Sequence, residues 1–88
     1  MKSRKTTFTP NFLEDLVFWV ANDRKMALRI LTLVDAVSRD PFTGIGKPEP
    51  LKHVAPSNWS RRINEEHRLI YEVSDTHIEF RHARFHYE

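Results

Sequence analysis

The stretch WSRRINEEHRLIYEV, residues 59–73, has the pattern of a β-hairpin with charge at its centre. Successive side chains of a strand point to opposite faces of a sheet, so alternate residues share a face. On this rule, one face of the hairpin carries the apolar side chains Trp59, Ile63, Leu69, Tyr71 and Val73. This apolar face needs a cover, which the rest of the chain must supply.

The register of the hairpin is predicted by placing apolar residues opposite one another. If Ile63 faces Leu69, the loop has an odd length and is most simply residues 65–67, because loops of about three residues are common in hairpins. The strands then cover 59–64 and 68–73. The expected pairs on the other face are Asn64 with Arg68 and Arg62 with Ile70.

Three arginines lie in this hairpin, and the alternation of side chains separates them. Arg62 and Arg68 fall on the face opposite to the apolar residues, whereas Arg61 shares the apolar parity. We therefore expect Arg61 to reach water at a sheet edge or to sit on a bulge. The pair Arg62 and Arg68 has two interpretations. It is either a solvated surface neutralised by nearby glutamates or a site where guanidinium groups bind phosphate.

The residues before the hairpin supply the cover as two helices. Apolar residues at helical spacing predict a helix over 10–22 after an N-cap at Thr9, and a second helix over 24–39 capped by Asp23. The second helix should end at Asp40-Pro41, because a residue before proline disfavours the α region. The two helices are expected to form an antiparallel hairpin.

The remaining segments complete an α+β architecture. Further strands are predicted at 5–8, 51–53 and 77–85. The order of elements predicts a two-helix hairpin packed on one face of a mostly antiparallel, twisted sheet. With 88 residues, the chain is expected to form one domain over 1–88.

Composition excludes several classes of function. The chain contains no cysteine, which rules out disulfides, thiolate zinc sites and a cysteine nucleophile. We see no signal peptide and no apolar run near the ~20 residues of a membrane span, and we expect a cytoplasmic protein without metal or cofactor. The net charge of +2 permits a nucleic-acid partner without requiring one.

Two other segments contain groups suited to acid–base chemistry. In GKPEPLKH, residues 46–53, Glu49 lies between two prolines that stiffen the backbone. Glu49 is therefore either an ordinary surface glutamate or a general base held by a rigid loop. In RFHY, residues 84–87, His86 and Tyr87 are either part of a frayed chain end or a titratable pair.

Three of these stretches, GKPEPLKH, WSRRINEEHRLIYEV and RFHY, resemble in order and spacing the YoeB/Txe branch of the RelE-type bacterial toxins. The resemblance implies the RelE-like microbial RNase fold. It also implies an endoribonuclease that cuts mRNA in the ribosomal A site and so inhibits translation. The implied partners are mRNA and the ribosome, a YefM/Axe-like antitoxin, and a second copy of the toxin in a homodimer or in a toxin–antitoxin hetero-oligomer.

The resemblance also assigns roles in a metal-independent cleavage. Glu49 is expected to take the proton of the substrate 2′-hydroxyl, and His86 to protonate the leaving 5′-oxygen. Arg68 is expected to stabilise the charge that builds on the phosphate. The products would be a 2′,3′-cyclic phosphate and a 5′-hydroxyl.

Three further positions complete the implied site, and two alternatives stay open. Lys52 and Arg62 are expected to contact phosphate, and Tyr87 to orient the nucleotide by stacking or hydrogen bonding. A non-catalytic RNA- or ribosome-binding module would instead use the same basic face to contact phosphates and would arrest translation without cleavage. In a third interpretation, this face mainly binds an acidic antitoxin.

Overall fold

The computed structural model describes residues 3–53 and 55–85. The expected site residues His86 and Tyr87 therefore lie outside the described residues. In chain order, the elements are β1 (Lys5–Phe8), α1 (Pro10–Asn22), α2 (Arg24–Arg39), β2 (Glu49–Pro50), β3 (Asn58–Arg62), β4 (Arg68–Val73) and β5 (His77–His82).

Both helices begin and end where the sequence predicts. The Thr9 hydroxyl accepts a hydrogen bond from the Phe12 N–H at 3.1 Å, and the Asp23 carboxylate accepts one from the Met26 N–H at 3.3 Å. These caps satisfy backbone donors that the first turn of a helix leaves without a partner. At the end of α2, the Asp40 N–H donates to the Ala36 carbonyl and the helix stops before proline.

The five strands form one sheet in the order β1-β5-β4-β3-β2. β1 pairs with β5 in parallel, and the other pairs are antiparallel. The two helices cover one face, which confirms the predicted α+β fold. The buried core contains Phe12, Trp19, Ala27, Ile30, Leu33, Val37, Ile63, Leu69, Tyr71, Ile78, Phe80 and Ala83. Within the described residues, neither helix is long and apolar enough to cross a membrane.

The strand predicted at 51–53 is wrong by two residues, since β2 consists of Glu49 and Pro50. Proline is tolerated there because β2 is an edge strand whose outer side needs no ladder hydrogen bond. After β2 the chain turns back, and the Ala55 N–H donates to the Leu51 carbonyl at 3.0 Å. The strands predicted at 59–64 and 77–85 also run past the observed ends of β3 and β5.

The hairpin of β3 and β4 has a register two residues away from the predicted one. Leu69 faces Arg61, not Ile63, and Arg62 faces Arg68. The Ile63 N–H donates to the His67 carbonyl at 2.9 Å, which closes the turn around residues 64–66. The shift leaves every side chain on its predicted face, because faces depend on parity alone. The predicted pair of Arg62 with Ile70 is replaced by Ser60 with Ile70, and Asn58 pairs with Glu72.

The prediction that Arg61 reaches water at an edge or a bulge is wrong. Its side chain is fully buried, with 0% of the residue exposed. The loop after α2 folds over the guanidinium group and presents main-chain carbonyls to it. A buried charge is tolerated where hydrogen bonds replace its hydration. The sequence pattern alone could not show these acceptors, because they come from a distant segment.

Candidate active site

The open face, which we define as the side of the sheet away from the helices, carries a row of side chains across four strands. Glu49 of β2 pairs with Ser60 of β3, which pairs with Ile70 of β4, which pairs with His82 of β5. Neighbouring strands lie about 4.8 Å apart. Ser60 and Ile70 in the middle of this face are buried. Glu49 in the same row and the nearby Arg62 are exposed and charged.

Glu49 and Arg68 are in direct contact on this face. Arg68 Nη1 lies 3.0 Å from Glu49 Oε1, and the same nitrogen donates to Ser60 Oγ at 3.1 Å. The Arg68 side chain is 20% exposed and the Glu49 side chain 57% exposed. Ser60 is buried and therefore fixes the guanidinium from below. The structure thus brings together a carboxylate that can accept a proton and a cation that can bind an anion.

Arg62 is the second cation of the open face. It lies directly opposite Arg68 in the ladder, where Cβ atoms of paired residues are about 4.5–5.5 Å apart. Two positive charges a few ångströms apart on an open face would repel by about 1 kcal/mol or less in water. Glu49 offsets part of this repulsion, and a bound phosphate would remove more of it. The facing arginines fit the anion-site interpretation of the hairpin, and the ion pair between Arg68 and Glu49 also fits a solvated surface neutralised by glutamate.

Further charges lie on the open face beyond this cluster. Arg81 Nη1 is 3.8 Å from Glu72 Oε2 and 3.6 Å from Glu79 Oε1. The Ser57 hydroxyl also donates to Glu72, at 3.2 Å. These contacts pair both carboxylates with Arg81. Among the described residues, no group of three or more His, Asp or Glu side chains is placed to hold a metal ion.

Lys52, which the sequence predicts to be a site residue, does not join the cluster of Glu49, Arg62 and Arg68. It is exposed in the turn after β2, and within residues 3–53 and 55–85 no contact joins it to Glu49, Arg62 or Arg68. The structure therefore assembles three of the six predicted site residues, Glu49, Arg62 and Arg68.

His67 is a residue that the sequence pattern placed in the turn and assigned no role. Its buried ring packs edge-on against Trp19, with 4.8 Å between centroids, and its Nδ1 accepts the Phe85 N–H at 2.6 Å. The proton of the neutral ring is thereby assigned to Nε2, and Glu66 Oε1 lies 3.7 Å from that nitrogen. Nothing in the spacing of the hairpin could have identified this role, because the partner comes from another part of the chain.

The described part of the chain ends at Phe85, which is held beside Arg68. The Arg68 N–H donates to the Phe85 carbonyl at 3.2 Å, and Phe85 has a positive φ of 64°. A positive φ is uncommon for a residue with a side chain and marks a sharp local change of direction. His67 and Arg68 therefore fix both main-chain polar groups of the residue that immediately precedes His86.

A small α+β domain with two helices on one sheet face and a cationic cluster on the other has the architecture of the RelE-like toxins. The family described as the YoeB-like toxin of bacterial type II toxin–antitoxin systems matches residues 8–87. The toxin RelK of Mycobacterium tuberculosis is 50% identical to this chain over 84 residues, which cover 96% of this chain and 99% of RelK. This chain therefore belongs to the YoeB-like toxin family and is a toxin of a type II toxin–antitoxin system, which confirms the resemblance seen in the sequence.

Solved structures agree with this assignment. A YoeB dimer from Staphylococcus aureus superimposes with a TM-score of 0.86 at 42% identity, covering 97% of this chain and 99% of that chain. A YoeB–YefM complex from Staphylococcus aureus gives a TM-score of 0.82 at 41% identity, covering 96% of this chain and 98% of that chain. The predicted fold class is thereby confirmed.

Proposed function

We propose that this toxin is a ribosome-dependent endoribonuclease that cuts mRNA in the A site and thereby inhibits translation. The observation that carries the proposal is the contact between Glu49 and Arg68 at 3.0 Å, with Arg62 directly opposite Arg68. A proton acceptor and two phosphate-binding groups on one exposed surface are what RNA cleavage by the substrate's own 2′-hydroxyl requires.

In the proposed reaction, Glu49 takes the proton of the 2′-hydroxyl while the 2′-oxygen forms a bond to phosphorus. His86 gives a proton to the 5′-oxygen as the bond between that oxygen and phosphorus breaks. The products are a 2′,3′-cyclic phosphate and a 5′-hydroxyl, and neither step uses a metal ion. Each positioned acid or base accelerates such a reaction by roughly 10²–10⁴-fold.

Arg68 is proposed to stabilise the negative charge on the non-bridging oxygens of the phosphate. Within the described residues, its guanidinium contacts go through Nη1, which leaves Nη2 able to turn towards a substrate oxygen. Preorganised donors cost no rearrangement when the charge develops, and Ser60 holds this one in place. Arg62 and Lys52, both exposed, are proposed to contact phosphates of the same RNA strand.

The roles of His86 and Tyr87 rest on the resemblance to the family. His86 is proposed as the general acid, and Tyr87 is proposed to orient the nucleotide by stacking or hydrogen bonding. Support for this part of the proposal comes from Phe85, the residue before His86, whose main-chain N–H and carbonyl are hydrogen-bonded by His67 and Arg68.

The partners proposed for this toxin follow those of its relatives. The YoeB of Staphylococcus aureus is found both in a complex with YefM and as a dimer. We propose the same two associations for this chain, acting as one domain in the cytoplasm. Its mildly positive charge, +2, and the facing arginines Arg62 and Arg68 suit both RNA and an acidic antitoxin segment.

The test adds purified toxin to a ribosome programmed with a defined mRNA and maps new RNA ends by primer extension. We expect cutting in the A site and a cyclic phosphate at the new 3′ end. Glu49→Ala and His86→Ala should each lose most of the cutting while remaining folded, whereas Glu65→Ala, an exposed glutamate of the hairpin turn, should cut normally. Arrest of translation without new RNA ends would instead indicate a non-catalytic binding module.

A further inference from the structure

We propose that Arg61 is a positioning residue for the candidate active site. Its buried guanidinium holds the loop over residues 40–46 in the shape that delivers Glu49 to Arg68. Only the activity part of this inference rests on the proposed function, because the shape of the loop can be measured independently.

The guanidinium of Arg61 is surrounded by hydrogen-bond acceptors from that loop. Nη2 donates to the carbonyls of Asp40 at 2.5 Å and Thr43 at 2.9 Å, and Nη1 donates to the carbonyl of Ile45 at 3.1 Å. Nε donates to the Tyr71 hydroxyl at 3.2 Å. The planar guanidinium group directs its N–H donors at three carbonyls that are spread over six residues. The single ammonium group of a lysine could not reach all three.

The two glycines of the loop permit this close approach. A Cβ on Gly44 would lie 3.1 Å from Arg61 Nη1, and a Cβ on Gly46 would lie 3.1 Å from Arg61 Cβ and 2.9 Å from Leu33 Cδ2. Gly44 and Gly46 also have φ values of 125° and 84°, which favour glycine. The course of the loop is therefore adapted to the arginine at both positions.

Tyr71 closes the network from the opposite side. Its hydroxyl accepts from Arg61 Nε and donates to the Pro41 carbonyl at 2.7 Å. Burial raises the pKa of Tyr71, partly opposed by the neighbouring Arg61, so the hydroxyl stays protonated and able to donate. One residue of β3 and one of β4 thus hold the loop jointly from inside the core.

The held loop leads directly to the candidate base. The Arg62 N–H donates to the Gly46 carbonyl at 2.6 Å, and Glu49 follows three residues later, opposite Ser60. Arg61 points into the core, while its neighbours Ser60 and Arg62 point to the open face. Arg61 therefore fixes one end of the segment whose other end contacts Arg68. A misplacement of about 1 Å in a catalytic group costs roughly 10² in rate.

A role in stability alone would not explain why residue 61 is an arginine. Apolar residues of similar volume often replace buried charges without loss of stability. Here the charge satisfies carbonyls that the loop would otherwise bury, and it does so only if the loop keeps this particular shape. The arginine specifies a conformation, and Glu49 is the functional group that depends on it.

The test compares two variants. Arg61→Met keeps a similar side-chain volume but has no hydrogen-bond donors, and Arg61→Lys keeps the positive charge but lacks the planar guanidinium group. Tyr71→Phe is the milder variant and serves if Arg61→Met does not fold. The matched control is a core variant remote from the loop, Ile78→Val in β5, or Ile78→Ala if a larger loss of melting temperature is needed. Amide hydrogen exchange over residues 41–50 and the kcat and KM of ribosome-dependent cutting are measured for each.

We expect exchange in the loop to rise on the order of tenfold or more in Arg61→Met, with little change in α1 and β5. The kcat should fall on the order of 10²-fold, with KM within about threefold of the wild type. Arg61→Lys should recover part of the kcat. Unchanged loop exchange, or a kcat equal to that of an equally destabilised control, would overturn the inference. A wild-type toxin that does not cut would contradict the proposed function alone, and loop exchange would then decide the role of Arg61.

Discussion

Arg62 and Arg68 face each other directly across β3 and β4, on the side of the sheet away from the helices. The two side chains are not equivalent. Arg68 is largely buried and is held by Ser60 and Glu49, whereas Arg62 is exposed. The fixed arginine is suited to stabilising charge at one defined point, and the exposed one to tracking a phosphate of variable position. This difference leads to a prediction for each.

Replacing Arg68 by lysine should reduce kcat on programmed ribosomes by roughly 10²-fold, because an ammonium group cannot donate to Ser60, Glu49 and a phosphate in one plane. The matched change, Arg62→Lys, keeps a mobile charge at the exposed position and should mainly raise KM. Stability should change little in either case, because lysine keeps the positive charge at both positions and the Glu49 partner of Arg68 is itself exposed. Equal kcat values for the two variants would contradict this assignment.

The faces of the hairpin could be predicted from the sequence although its register could not. Side-chain parity is unchanged by a shift of two residues, so Arg62 and Arg68 were correctly placed on the open face. The register itself depends on the turn, where Asn64 organises the chain through its side chain. The pattern does not indicate the burial of Arg61, because its acceptors come from residues 40–45, or the role of His67, because its partner is Phe85. Such distant partners leave no periodic signal in the sequence.

His67 offers a direct test of what its hydrogen bond to Phe85 contributes. His67→Phe keeps a ring against Trp19 but leaves the Phe85 N–H without its acceptor, and the loss of one hydrogen bond costs about 0.5–1.5 kcal/mol. His67→Asn loses the ring but keeps an acceptor near the position of Nδ1. If this hydrogen bond to Phe85 is needed for cutting, His67→Asn should be more active than His67→Phe. Higher activity in His67→Phe than in His67→Asn, after matching for folded fraction, would rule this out.

The turn of the hairpin depends on the side chain of Asn64. Its Oδ1 accepts from the N–H groups of Glu66 at 2.9 Å and His67 at 2.7 Å. Asn64→Ala should lower the free energy of unfolding by about 1 kcal/mol, measured by urea titration, because it removes both acceptors at a turn. Asn64→Asp retains the acceptor and is the control. An equal loss in the two variants would show that the carbonyl oxygen is not the stabilising group.

Asp40 should make the loop around Arg61 sensitive to acid. The Thr43 hydroxyl and the Phe42 N–H hydrogen-bond to its carboxylate and lower its pKa below the ordinary value of 3.8, with a smaller contribution from Arg61. Because the folded pKa is the lower one, the stabilising effect is complete above the unfolded pKa and is lost as pH falls through the folded pKa. The melting-temperature difference between the wild type and Asp40→Ala should therefore be constant near neutral pH and narrow below pH 3.8. Asp35→Ala, at an exposed carboxylate of α2 paired with Arg39, controls for the general loss of surface charge. A difference for Asp40→Ala that stays constant throughout the acid range would contradict the assignment.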